Sequence, residues 1–128
     1  MRLVQIAQRA SDLGRASTFY ADLLGTPAAA TFDPPGLVFF GLDEVRLLLE
    51  VGAPSALLYL AVDDLSATIE RLRDRGVKIV SEPQLIFHHA DATLGPEGTD
   101  EWMAFIEDSE GNPVGLVEQR ARPAPSPQ

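Results

Sequence analysis

Residues 11–25, SDLGRASTFYADLLG, and residues 63–76, DDLSATIERLRDRG, decide how this chain is read. Both carry an Asp-Leu pair near the start and end in Gly, and their Asp-Leu pairs begin at Asp12 and Asp64. Asp or Ser before an apolar-periodic run is a helix N-cap, and Gly after it is a helix stop. Leu13, Ala16, Tyr20, Leu23 and Leu24 fall at helical spacing in the first. Leu65, Ile69 and Leu72 do so in the second. Helices are therefore expected near 12–24 and 64–75.

The flanks repeat as well. LVQIAQ (3–8) precedes the first helix as a strand. AAATF (28–32) and LVFFGLDEVRLLLEV (37–51) follow it, the latter as two strands joined around Gly41 to Glu44. GAPS (52–55) is a linker. ALLYLAV (56–62) precedes the second helix. VKIVSEPQLIF (77–87), interrupted near Pro83, then EWMAFIED (101–108) and NPVGLVEQ (112–119), follow it. The order is β-α-β-β-β twice, which points to an internal duplication. The expected modules cover about 3–52 and 56–120 within a single domain, 1–121. RARPAPSPQ (120–128) has three prolines and no apolar pattern, so 122–128 is expected to be a disordered tail.

Composition narrows the function. The chain has 128 residues, of which 45% are hydrophobic, enough for an ordinary core. Its net charge of −9 argues against nucleic acid and against anionic membrane surfaces. No apolar run reaches membrane-spanning length, and the start lacks a signal-peptide pattern, so a cytoplasmic location is expected. With no cysteine, thiolate metal sites and cysteine nucleophiles are excluded. Lys78 is the only lysine and lies in a polar stretch, which disfavours Schiff-base chemistry.

In this order, SDLGRASTFYADLLG, AVDDLSATIERLRDRGV and WMAFIEDSEGNPVGLVE resemble the vicinal oxygen chelate superfamily. It includes glyoxalase I, epimerases, extradiol dioxygenases and bleomycin resistance proteins. The resemblance covers about residues 3–119. It implies an α+β fold of two β-α-β-β-β modules, whose curved sheets form a cleft, and commonly a homodimer. It also implies a divalent metal held by residues of four strands. The matching positions here are Gln5, one of Leu47, Leu48 or Glu50, then Leu57, and Gly115. Leu57 and Gly115 offer no donor and Gln5 is a weak one, whereas a catalytic zinc needs about three protein ligands. The expectation is therefore no metal and no cofactor.

Other chemistry is sparse. His88 and His89 are adjacent, so on a strand they point to opposite faces. They begin HHADATLGPEGTDEW (88–102), which reads as a loop over the cleft mouth; His88 is the candidate ligand contact, against the plainer reading of a solvated loop histidine. Asp63 and Asp64 follow helix-cap logic. Neither histidine has an identifiable Ser partner for a hydrolytic triad. The aromatics Phe39, Phe40, Tyr59, Phe87, Trp102 and Phe105 lie on expected strands, half of them facing helices. Trp102 is the expected stacking platform.

The expected function is thus a metal-free protein that sequesters a hydrophobic or aromatic small molecule, in the manner of antibiotic resistance. Its candidate contacts are Gln5, Glu50, Leu57, Tyr59, His88, Trp102 and Gly115. The alternative is a lyase, isomerase, epimerase or dioxygenase of the same superfamily, and the sequence leaves catalysis open.

Overall fold

The computed structural model describes residues 1–122. Ten elements follow one another: β1 (Gln5–Arg9), α1 (Leu13–Leu24), β2 (Ala30–Phe32), β3 (Leu37–Leu42), β4 (Val45–Glu50), β5 (Leu58–Ala61), α2 (Leu65–Asp74), β6 (Ile79–His88), β7 (Thr99–Glu107) and β8 (Pro113–Ala121). This is the twofold β-α-β-β-β order expected from the sequence. The strands form two separate four-stranded sheets, ordered β1-β4-β3-β2 and β5-β8-β7-β6. The two orders are the same pattern. In each, the strand before the helix pairs in parallel with the last strand of its half, and the other pairings are antiparallel.

The helix ends obey the local signals. Asp12 Oδ1 accepts from Arg15 N at 2.9 Å, and Asp64 Oδ1 accepts from Ala67 N at 3.0 Å. Each carboxylate satisfies a backbone donor that the first helical turn leaves free. Gly25 ends α1 in the left-handed region at φ 70°, where other residues are strained. Glu118 adds a second acceptor at the start of α2, taking Leu65 N at 2.6 Å.

The chain divides into two compact units. The first comprises Met1–Leu57 and Asp108–Asn112. Its core lies between α1 and one sheet face, where Ala16, Tyr20, Val38, Phe40, Leu47 and Leu49 are buried. Gln8 is fully buried on that face too. Its Oε1 accepts from Ala56 N at 2.8 Å and Arg9 N at 3.1 Å, while its Nε2 donates to Ala56 O at 2.9 Å. Tyr20 Oη donates to Asp108 Oδ2 at 2.6 Å. Burial first, and then Asp108, push the Tyr20 hydroxyl above its ordinary value, so it stays a donor.

The second unit comprises Leu58–Glu107 and the chain from Pro113. Leu65, Ile69 and Leu72 of α2 are buried, as are Leu58, Ala104, Ile106, Val114 and Leu116 of its sheet. Pro83 stays inside β6, which is an edge strand; the pairing with β7 shifts register between Ser81 and Gln84. A proline lacks the ladder donor, so an edge strand with a bulge is where it is tolerated.

Two expectations change in detail. The first strand begins at Gln5 rather than Leu3, and the fifth covers only Leu58–Ala61. Of the expected tail, Arg122 is described, and its Nη2 lies 2.8 Å from Asp100 Oδ1. Residues 123–128 lie outside the described residues.

Candidate functional site

Strand parity sorts the second sheet into two faces. One carries Leu58, Val114, Leu116, Ala104 and Ile106 and packs under α2. The other carries Tyr59, Gly115, Val117, Gln119, Phe105, Met103 and Glu101, because Tyr59 pairs with Gly115, Gly115 with Phe105, and Glu101 with Gln119. On this second face the Tyr59 and Phe105 rings stand edge to face, with centroids 5.9 Å apart. They close over Gly115. A Cβ there would lie 2.7 Å from the Tyr59 ring and 3.1 Å from the Phe105 ring. Tyr59 itself is 53% exposed, so its ring presents an apolar surface to solvent.

Four residues along β7 from Phe105 the face turns polar. Gln119 Oε1 lies 3.2 Å from Thr99 Oγ1, whose hydroxyl donates to the nearer Pro96 O at 2.7 Å. Gln119 Nε2 then donates to Glu101 Oε1 at 2.6 Å. His89 Nε2 also meets Glu101 Oε1, at 3.0 Å, and the carboxylate makes this nitrogen the donor. The His89 ring meets Phe87 edge-on, with centroids 4.5 Å apart and planes at 60°. Gly95 lies so close over the imidazole that a Cβ would stand 2.7 Å from it. An apolar wall ending in a few oriented polar groups has the lining chemistry of a small-molecule site.

The expected contacts are only partly gathered. Tyr59 and Gly115 share this face. Trp102 does not join them: it lies on the α2 side with Glu118, under the Arg120 guanidinium at 4.3 Å from its ring centroid. Trp102 thus lies on the opposite face from Tyr59, whose ring meets Phe105 instead. His88 also points away, its Nδ1 lying 2.7 Å from Asp100 Oδ1, and its neighbour His89 is the buried histidine. Leu57 precedes β5 and is 47% exposed. In the first unit, Gln5 and Glu50 lie on the sheet face turned from α1, but Gln5 pairs with Arg46 and Glu50 with Arg9, at opposite ends of the β1–β4 ladder. Glu101, His89 and Gln119 were missed. Glu101 shares parity with Met103 and Phe105, a signal present in EWMAFIE.

The first unit also holds a cavity of about 320 Å³ between α1 and β2–β3, lined by Leu13, Ser17, Phe32, Asp33 and Leu37 among others. It contains none of the expected contacts; its polar lining is Ser17, Thr31 and Asp33.

The model of the Glyoxalase/Bleomycin resistance protein/Dioxygenase superfamily matches residues 2–116. The chain belongs to this superfamily. Among its relatives, a probable lactoylglutathione lyase of Synechocystis sp. is 26% identical over 95% of this chain and 98% of its own length. A probable chloroplastic lactoylglutathione lyase of Arabidopsis thaliana is also 26% identical, over 97% of this chain, but this chain spans only 37% of that protein. TnmS3, an antibiotic binding protein from Streptomyces sp. CB03234, shares the fold with a TM-score of 0.64 and 22% identity, over 93% of this chain and 96% of its own.

A divalent metal of the kind the superfamily implies does not fit the residues present. Gln5 Oε1 already accepts from Arg46 Nε at 2.6 Å, which sets a cation where an ion would bind. Leu47 faces α1; Leu48, Leu57 and Gly115 have no donor; and Glu50, the one carboxylate among the candidates, lies at the opposite end of the β1–β4 ladder from Gln5. Among the described residues no three His, Asp or Glu side chains gather as a metal site.

Proposed function

We infer that the protein binds a flat, hydrophobic or aromatic small molecule without a metal ion and sequesters it. One observation carries this reading. At Gly115, the position that the superfamily resemblance gives to a ligating carboxylate, the Tyr59 and Phe105 rings close over bare backbone instead. A hydrophilic metal-binding position has become part of an aromatic wall. Affinity would come from apolar burial and stacking, with Glu101 and Gln119 orienting the occupant. The antibiotic-binding neighbour is in keeping with an antibiotic-like occupant. The working form is a cytoplasmic homodimer with two equivalent sites.

Elemental analysis and a titration test this together. Protein purified without chelator should contain well under one zinc, nickel, manganese or iron per chain. Acridine, a neutral three-ring aromatic, should bind equally with and without EDTA, and Tyr59→Ala should weaken it about tenfold. The lyase names of the relatives supply the competing reading. Stoichiometric metal, with formation of lactoylglutathione abolished by EDTA, would replace sequestration with catalysis.

A further inference from the structure

Glu101 has a surplus that the apolar wall does not explain. Its side chain is only 9% exposed. Oε1 is held by Gln119 and His89. Oε2 has no hydrogen-bond partner among the described residues, yet none of their buried side-chain polar atoms is left without one. Both statements hold only if Oε2 reaches the surface of the face. A carboxylate that is nine-tenths buried, pinned at one oxygen and open at the other, offers a fixed acceptor to a donor arriving along the wall. The open oxygen lies in a low-dielectric setting, where a charge-assisted bond is about twice as strong as a neutral one.

Position gives the occupant its length. Glu101 and Phe105 are four residues apart on β7, whose pairing with β8 is unbroken. That separates them by about 13 Å. Met103 lies between them on the same parity, and its partner Val117 flanks it. The chain's net charge of −9 favours an incoming cation over an anion.

We propose that the site takes a polycyclic aromatic amine in its cationic form. The ring system lies along Tyr59, Phe105, Met103 and Val117, and the protonated nitrogen donates to Glu101 Oε2. Gln119 and His89 are positioning residues that hold Glu101 in place. This rests on the small-molecule reading above and adds the charge and the orientation of the occupant.

The test uses two probes at neutral pH, 9-aminoacridine as the cation and acridine as its neutral parent, titrated by fluorescence into the full chain. Wild type should prefer the cation by about ten- to a hundredfold, the range for a hydrogen bond to a charged group. Glu101→Gln should weaken only the cation and erase the preference, whereas Tyr59→Ala should weaken both probes. Should Glu101→Gln fail to fold, 10-methylacridinium titrated into wild type gives the same reading: it carries the charge but no N–H donor, so it should lose most of the preference shown by 9-aminoacridine. Equal binding of both probes to wild type, a preference that survives Glu101→Gln, or 10-methylacridinium binding as tightly as 9-aminoacridine, overturns the role of Glu101. The aromatic site would still stand if Tyr59→Ala weakened both probes. If neither probe binds wild type, both readings fall.

Discussion

Tyr59 and Phe105 meet edge to face across Gly115, their centroids 5.9 Å apart and their planes at 80°. The two rings come from strands on either side of β8, and they meet because the residue between them has no side chain. An edge-to-face pair contributes about 0.5–1.5 kcal/mol beyond the area it buries. The contact also sets the direction of the Tyr59 ring, and so the shape of the wall.

Gly115→Ala tests that geometry. The new Cβ would force the Tyr59 ring outward, which is easy because Tyr59 is half exposed. Stability should fall by about 1 kcal/mol in urea denaturation, while acridine affinity drops about tenfold. Gly115→Glu should weaken binding further. A loss of stability with affinity intact would make Gly115 only a strand-bend residue.

Gln8 offers a test in the first unit. Its carboxamide satisfies both backbone groups of Ala56 and the N–H of Arg9. Gln8→Leu keeps the volume but leaves those groups without partners. The expected loss is about 2–3 kcal/mol by chemical denaturation. Unchanged stability would show that water replaces the amide.

Tyr20→Phe should cost less, about 1–2 kcal/mol. Asp108 Oδ2 keeps a donor in Asn112 Nδ2 at 2.9 Å, and Oδ1 keeps the N–H groups of Glu110 and Asn112. A loss as large as that of Gln8→Leu would mean that the tyrosine alone holds Asp108 in place.

Glu110 predicts an acid limb in the stability profile. The Arg15 guanidinium, at 2.8 Å, holds its carboxyl down to about 2 from an ordinary 4.5. A depressed folded value means that the contribution is complete above about 4.5 and is lost as pH falls towards 2. Its ceiling is about 3 kcal/mol, reduced because Arg15 is 54% exposed and screened. Glu110→Gln should lower the melting temperature at neutral pH and flatten its decline between these two values. An unchanged acid limb would assign the limb to other carboxylates.

Much of the architecture could be read along the chain. The Asp caps, the glycine stops and the 3.6-residue spacing of Leu65, Ile69 and Leu72 act within a few residues, so both helices are legible locally. The alternation of strands and helices showed the duplication, and Pro83 marked the irregularity in β6. Gly115 also stood out, because a glycine inside an apolar strand asks what approaches it.

Tertiary structure alone decided which side chains share a face. EWMAFIE carries Glu101 and Glu107 on the parity of Phe105, but large apolar side chains on both, so the local pattern separates the two faces without assigning either to α2; the pairing of β7 with β8 settles it. His88 and His89 differ by one position, and β6 reaches them through register shifts at Ser81–Gln84 and Leu85–Phe87. Each shift can exchange the two faces of a strand, so counting along β6 loses the parity. The Gln119–Glu101–His89 network and the Arg46 bond to Gln5 join residues far apart in sequence. Hydrogen bonds of that kind form only once strand order and register are set, which no local pattern encodes.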